Sequence, residues 1–158
     1  MIFQNHPDLD KEIREVGCAF MCPIYYRGKY QLQPMEIPEI NYAWREARRL
    51  GIINSSNHPT APLEVASWQA LLNHLGVKLR VLYHTLPDGS QTTHWPVDTL
   101  ITCGCWGFFA WYNPRTKYTH FVVGKERPVE YDPISAGSIT VREGAPLPDG
   151  LRLFQITI

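Results

Sequence analysis

Apolar residues in the first half of the chain recur with the spacing of α-helices. The clearest case precedes Gly51, where five apolar residues fall three or four positions apart: Ile40, Ala43, Trp44, Ala47 and Leu50. Pro38 suits the first helical position and Gly51 is a typical end. A further helix is predicted from about Leu63 to Leu75, with Gly76 ending it.

A helix is also predicted near the N-terminus. The polar segment 10–16 leads into a helix that begins at Gly17 or Cys18 and has an apolar body at 19–22. Pro23 removes a backbone donor, so we expect a kink or a loss of regularity after the first turns. Gly28 is the expected end of this helix.

After Gly76 the apolar period changes from that of a helix to that of a strand. Strands are predicted at 77–84, 106–112, 120–124, 129–132, 138–142 and 151–158, with turns at 87–89, 113–117, 125–128 and 144–150. Helices first and an antiparallel sheet second indicate an α+β fold. We predict one domain over residues 1–158, with a helical half at about 10–76 and a sheet half at about 77–158.

Length and composition are those of one globular domain. The 158 residues are 44% hydrophobic and 19% charged, which is enough apolar material for a buried core. Fifteen basic and fifteen acidic residues cancel, so no nucleic acid and no membrane is expected as a partner. The first residues show no secretory signal, and no apolar run approaches the roughly 20 residues of a membrane span. A cytoplasmic location is therefore expected, and the oligomeric state is left open.

A β-hairpin in the second half would bring a histidine and a carboxylate together. Pairing Val123 with Val129 leaves His120 beside Asp132 at the open end of the hairpin. Neighbouring side chains across such a ladder lie roughly 5–8 Å apart, so the carboxylate could orient the imidazole ring. Glu130 shares the face of Asp132 but lies farther from the histidine. A histidine at a strand start is alternatively an ordinary hydrogen-bonded surface residue.

Cys18 is the candidate nucleophile. In the first turn of a helix, unpaired N–H groups and the positive end of the helix dipole favour a thiolate, which a histidine could generate. A buried helix cysteine is the alternative interpretation, and it is preferred for Cys22, Cys103 and Cys105. A zinc site built from the four cysteines fits less well, because Cys-x-Cys is shorter than the usual spacing. We therefore predict no metal and no cofactor.

The motifs together resemble those of a known family. Gly17–Cys22 (GCAFMC), His120–Gly124 (HFVVG) and Tyr131–Pro133 (YDP) are similar to motifs of the papain-like peptidases that cleave double-glycine leader peptides from bacteriocins. The family includes small stand-alone bacterial and phage members. The resemblance extends from about residue 12 to residue 158. It implies a papain-like fold, in which an N-terminal helical half with the nucleophile helix packs on a C-terminal antiparallel sheet.

The resemblance also implies roles for individual residues. Cys18 would be the nucleophile, His120 the general base and acid, and Asp132 the orienting carboxylate. The family usually has a glutamine six residues before the cysteine, whose amide helps to hold the oxyanion, but this chain has Glu12. A carboxylate only accepts hydrogen bonds and repels a developing oxyanion. The remaining oxyanion candidates are the backbone N–H of Cys18 and the side-chain amides of two residues, Gln4 and Gln69.

Two functional hypotheses follow. The first is a cysteine hydrolase that cleaves a peptide or amide bond through a thioester intermediate. Its substrate would be a peptide, or a peptidoglycan cross-link if the protein is encoded by a phage. The alternative is a papain-like fold without turnover that binds a peptide or protein. The aromatic run 106–112 would then contribute contacts, and Trp106 and Trp111 are the candidates for substrate binding, although ordinary sheet core is the other interpretation of such residues.

Overall fold

The α+β class predicted from the sequence is confirmed by a computed structural model, which describes residues 2–84, 106–115, 118–124, 129–134 and 142–156. The chain divides into a helical unit, Met1–Lys78, and a sheet unit, Leu79–Ile158. The helices are α1 (Lys11–Val16), α2 (Cys18–Tyr30), α3 (Ile37–Arg49) and α4 (Trp68–His74). The strands are β1 (Leu79–His84), β2 (Trp106–Asn113), β3 (Tyr118–Gly124), β4 (Val129–Tyr131) and β5 (Ala145–Ile156). Within the described ranges, no helix is both long enough and apolar enough to cross a bilayer.

Helix α2 begins at the predicted residue but is longer than predicted. It passes through Pro23 and Gly28 and ends at Tyr30, so the expected end at Gly28 was wrong. An internal glycine weakens a helix by only about 1 kcal/mol, and the packing of a buried face outweighs that cost. The buried face of α2 includes Phe20, whose ring meets the Trp44 ring of α3 edge to face at 5.1 Å.

Helix α3 follows the sequence prediction closely. A capping box between Glu36 and Glu39 starts the helix, Pro38 lies in its first turn, and Gly51 follows its end with a φ of 74°. Four of the predicted apolar residues are buried, namely Ile40, Ala43, Trp44 and Ala47. Leu50 lies beyond the last helical residue and is 54% exposed, so its placement on the buried stripe was wrong.

Helix α4 is shorter than the predicted helix from Leu63 to Leu75. It begins at Trp68, where the Ser67 side chain accepts a hydrogen bond from the N–H of Ala70. The residues before it bond to a distant segment instead of to each other: the N–H of Asn54 donates to the Glu64 carbonyl, and the N–H of Ala66 donates to the Ile52 carbonyl. Such non-local pairing is invisible in a pattern of apolar residues.

The five strands form one antiparallel sheet in the order β1-β5-β2-β3-β4. Residues 145–150 were predicted as part of a turn, but they belong to β5, in which Ala145 lies opposite Tyr112 and Pro146 opposite Trp111. A register shift between Phe109 and Trp111 accommodates the extra residues 147–150 of β5. Residue 142 was predicted to end a strand and instead lies in a helical turn. Several predicted segments lie outside the described residues: the turns at 87–89 and 125–128, residues 116–117, the strand residues 138–141, and residues 157–158.

Strands β3 and β4 form the predicted hairpin with a different register. Val123 lies opposite Tyr131 and Gly124 opposite Val129, with an irregularity between the two pairs. The predicted pairing of Val123 with Val129 was therefore wrong. An irregularity of this kind shifts every later pair of the ladder.

Candidate functional site

The sheet unit holds a buried pair formed by His120 and Asp132. His120 lies in β3 and is 0% exposed, and Asp132 directly follows β4 and is 3% exposed. The imidazole Nε2 and the carboxylate Oδ1 are 2.5 Å apart, which is within hydrogen-bond distance. The predicted contact between these two side chains is confirmed, although it forms through the shifted register. Their catalytic roles stay a prediction.

A local turn fixes the orientation of the Asp132 carboxylate. Its Oδ1 accepts a second hydrogen bond from the backbone N–H of Ile134, at 3.0 Å. Aspartate commonly bonds to the backbone two residues ahead in this way. Sequence reasoning missed the Ile134 contact, although an aspartate followed by Pro133 is a recognisable turn signal.

The two ring nitrogens of His120 have different hydrogen-bonding roles. A carboxylate oxygen accepts hydrogen bonds, so Nε2 of His120 carries the hydrogen that is donated to Asp132. Proton exchange with a reacting group would then use Nδ1. The negative charge of Asp132 would stabilise the imidazolium that forms when Nδ1 takes a proton. Removing one partner of such a buried pair typically costs about 3–5 kcal/mol.

Two aromatic candidates lie in β2, beside the strand that carries His120. In the backbone register, Trp111 lies directly opposite His120, and Trp106 lies opposite Phe154 of β5. Trp111 is therefore at a register position that adjoins the histidine, whereas Trp106 lies at the other end of β2. Glu130, the weaker carboxylate candidate, is exposed.

The helical unit holds Cys18 at the first position of α2. Cys18 is 8% exposed, and its N-cap residue is Gly17. An ideal Cβ at Gly17 would lie 2.6 Å from the carbonyl oxygen of Ile13, so only glycine fits between α1 and α2. The Cys22 thiol, which is buried, donates to the carbonyl oxygen of Cys18 at 3.3 Å. The sulfur of Cys18 thus lies at a helix start whose backbone entry is sterically constrained.

Glu12 lies at the position where the resemblance implies a glutamine. Its carboxylate forms hydrogen bonds to two side chains of α3. One carboxylate oxygen accepts a hydrogen bond from the indole Nε1 of Trp44 at 2.8 Å and another from the guanidinium of Arg48. The hydrogen bond from Arg48 holds the pKa of the Glu12 carboxyl below its ordinary value. Glu12 therefore stays ionised at neutral pH and cannot donate to an oxyanion.

The two glutamine candidates differ in their surroundings. Gln4 is 0% exposed, and its Nε2 donates to the backbone carbonyl of Arg14 at 3.1 Å. Gln69 is partly exposed, lies in the first turn of α4, and donates to the Asn73 side chain at 3.1 Å. Only Gln4 bonds to the segment that leads into the Cys18 helix.

A metal centre finds no support among the residues that the structure describes, where no three His, Cys, Asp or Glu side chains cluster as ligands. Cys103 and Cys105, the other members of the alternative zinc set, lie outside the described residues.

Comparison with protein-family models, with curated proteins and with solved structures finds no match to this chain. Function is therefore inferred from the residues and contacts described above.

Proposed function

We propose that the protein is a papain-like cysteine hydrolase that cleaves a peptide or amide bond. The Cys18 sulfur attacks the carbonyl carbon while His120 takes the thiol proton. The carbon–nitrogen bond then breaks, the amine leaves with the proton from His120, and a thioester remains on the sulfur. Water attacks the thioester carbon while His120 removes a proton from the water. The carbon–sulfur bond then breaks, the acid product leaves, and His120 returns the proton to the sulfur.

The observation that carries this proposal is the buried hydrogen bond between His120 and Asp132. Burying an imidazole and a carboxylate is costly, and the pairing offsets that cost only when the geometry is good. The same arrangement orients a ring for proton transfer. Two observations support Cys18 as the nucleophile. The chain has the order Cys, His, Asp, and Cys18 lies in the first turn of α2. A reactive thiol must stay reduced, which suits action in the cytoplasm.

Iodoacetamide labelling at neutral pH, followed by peptide mass analysis, tests this assignment. We expect Cys18 to react much faster than Cys22, and Cys18→Ala to abolish the fast reaction while Cys22→Ala leaves it in place. Equal and slow labelling of all the thiols would contradict the proposal.

Exposure alone could also favour Cys18 over Cys22, so a second comparison is needed. His120→Gln should lower the labelling rate of Cys18, because the imidazole can no longer accept the thiol proton. His74→Gln is the matched control, since His74 is a partly buried histidine whose ring bonds to the Ala43 carbonyl at 2.9 Å. If the two variants label at the same rate, His120 does not activate the sulfur.

The substrate class within this proposal is a peptide or a peptidoglycan cross-link. Both present an amide carbonyl to the sulfur and release an amine. Incubation with a peptide library and with purified peptidoglycan fragments, analysed for new amino termini, would separate the two. Loss of every new product in Cys18→Ala is the required control.

A binding module without turnover is the second candidate, and the contacts of Glu12 favour it. The Arg48 and Trp44 contacts of Glu12 keep a negative charge where the resemblance implies an amide donor. Under this alternative, the wild type binds peptides but does not cleave them, and Glu12→Gln gains activity. If the hydrolase proposal is right, wild type cleaves its substrate and Glu12→Gln changes kcat little, because the side chain is directed at α3.

A further inference from the structure

The helical hydrogen-bond ladder is interrupted immediately before Cys18. The Gly17 N–H donates to the Ile13 carbonyl at 2.8 Å, which is the last bond of α1, and the Met21 N–H donates to the Gly17 carbonyl at 2.9 Å, which is the first bond of α2. Between these two bonds, the N–H groups of Cys18, Ala19 and Phe20 have no acceptor among the residues that the structure describes. Three donors are thus available in the first turn of α2, which carries the candidate nucleophile.

Gln4 donates to the carbonyl that would accept the first of these donors in a continuous helix. In an uninterrupted helix the N–H of Cys18 would bond to the carbonyl of Arg14, four residues earlier. That carbonyl instead accepts the Nε2 of Gln4 at 3.1 Å. Gln4 is fully buried, and its Oε1 has no hydrogen-bond partner in the described part of the chain. A buried polar side chain therefore lies at the junction of α1 and α2 and is only partly satisfied.

The interruption leaves polar groups unsatisfied that a continuous helix would pair. Joining α1 to α2 through Gly17 would give the Cys18, Ala19 and Phe20 donors their acceptors. Proteins keep buried polar groups unpaired chiefly where a ligand, a water molecule or a reaction uses them. The Gln4 contact lies at this interruption, and Gly17 approaches Ile13 so closely that no side chain fits there.

We propose that Gln4 is a positioning residue that keeps the backbone N–H of Cys18 available for the oxyanion of the substrate. This inference rests on the proposed hydrolase function. When the Cys18 sulfur adds to a carbonyl carbon, the π electron pair of the C=O bond moves to the oxygen. The Cys18 N–H donates to that oxygen until the pair returns and the carbon–nitrogen bond breaks. Gln4 acts on this donor through the Arg14 carbonyl and does not itself touch the substrate.

Two reagents that differ only in whether they form an oxyanion test the inference. A p-nitrophenyl ester acylates the sulfur through a tetrahedral oxyanion, whereas iodoacetamide alkylates it by direct displacement without one. In Gln4→Met, which removes the amide and keeps the length of the side chain, we expect acylation of Cys18 to fall by about 100-fold. Alkylation of Cys18 should stay within about 2-fold, a split that a merely structural role of Gln4 would not produce.

Gln31→Met is the matched control for the loss of an amide-to-carbonyl hydrogen bond. The Gln31 amide also lies in the helical unit and donates to a backbone carbonyl, that of Gly76, at 3.0 Å. We expect this variant to change acylation and alkylation by the same small factor. A reagent-dependent loss in Gln31→Met that equals the loss in Gln4→Met would overturn the inference.

The possible outcomes separate this inference from the function on which it rests. If wild type is not acylated at Cys18, the hydrolase proposal fails and the inference fails with it. If wild type is acylated but Gln4→Met loses both reactions equally, or neither, only the inference fails. If Gln4→Met does not fold, the amide signal of Cys18 in the wild type decides. It should move downfield when the sulfur is acylated, because the thioester oxygen accepts its hydrogen bond, and an unmoved signal would reject the role of this N–H.

Discussion

At the scale of single residues, one carboxylate oxygen of Asp132, Oδ1, contacts both the His120 ring and the backbone of the following turn. Oδ1 accepts both the His120 Nε2–H and the Ile134 N–H. Asp132→Asn can keep both acceptor contacts through its amide oxygen but removes the negative charge beside the imidazolium. We expect the variant to fold and kcat for ester or peptide hydrolysis to fall by about 10²- to 10⁴-fold. Steady-state kinetics, with a thermal melt to verify folding, would measure this loss.

Glu130→Gln is the control for that substitution. It removes an exposed carboxylate from the adjoining strand β4, two residues before Asp132. We expect its kcat to stay close to that of the wild type. Equal losses in the two variants would mean that the general negative potential of the hairpin matters, and not the contact to His120.

The contact between His120 and Asp132 could be predicted from the sequence because it tolerates an error in register. The ladder was predicted with Val123 opposite Val129, but Val123 lies opposite Tyr131. The side chains of His120 and Asp132 are nevertheless long enough to meet diagonally across the two strands. The contacts of Glu12 with Trp44 and Arg48 could not be predicted in the same way. They depend on how α1 lies against α3, which no local pattern of residues specifies.

At the scale of elements, a single glycine, Gly17, separates α1 from α2 and lies close against Ile13 of α1. An ideal Cβ at Gly17 would come within 2.6 Å of the Ile13 carbonyl oxygen and 2.8 Å of the Ile13 Cγ2. Both contacts are shorter than packed atoms adopt, so Gly17→Ala must displace one helix relative to the other. We expect this substitution to destabilise the protein by about 1–3 kcal/mol, as overpacking does, in urea denaturation.

Gly28→Ala provides the matched comparison within α2. The nearest atom to an ideal Cβ at Gly28 is the Cα of Pro34 at 3.5 Å, an ordinary contact. Alanine should therefore stabilise the helix by about 0.5–1 kcal/mol through its better helix propensity. Opposite signs for the two glycines are the expected result. A stabilising Gly17→Ala would show that the two helices join without strain.

Elements with strong local signals were predicted well, and elements set by distant partners were not. Helix α3 has a proline, a capping box and a closing glycine within its own sequence, and its prediction holds. The helix predicted from Leu63 failed because Asn54 and Ala66 take part in bonds between distant segments. Residues 145–150 look like a turn because they contain two prolines and a glycine, but pairing with β2 overrides this local chemistry.

At the scale of the whole molecule, each unit is held by its own set of interactions. In the helical unit, the Asn41 side chain bonds to the backbone of Asp8 and Asp10, and the Arg45 guanidinium bonds to the Asp10 carboxylate through two nitrogens. The sheet unit is held by the backbone ladders of its five strands. The boundary after Lys78 lies near Gly76, where the apolar period changes. That the two units form one domain stays a prediction.

Ion pairs in both units make the stability of the molecule depend on acid pH. In the part of the chain that the structure describes, three carboxyl groups have a pKa lowered from the ordinary 4.5, in each case chiefly by a hydrogen bond from arginine. These are Glu12 with Arg48, Glu46 with Arg49, and Glu143 with Arg115. A carboxyl whose pKa is lower in the folded state stabilises the protein above its unfolded pKa, and this stabilisation is lost as the pH falls through the folded pKa. We expect the thermal midpoint to fall as the pH is lowered from about 5 to about 3.

The dependence on pH can be traced to particular pairs. Glu12→Gln removes one of the titrating groups, so its midpoint should fall less steeply with acid than that of the wild type. Because the three pairs are partly or largely exposed, salt near 1 M should also weaken the dependence, as the screening length shrinks to about 3 Å. A midpoint that rises on acidification would contradict the assigned direction of the shifts. A slope unchanged by Glu12→Gln would instead assign the acid sensitivity to the other two pairs, which Glu46→Gln and Glu143→Gln test in the same way.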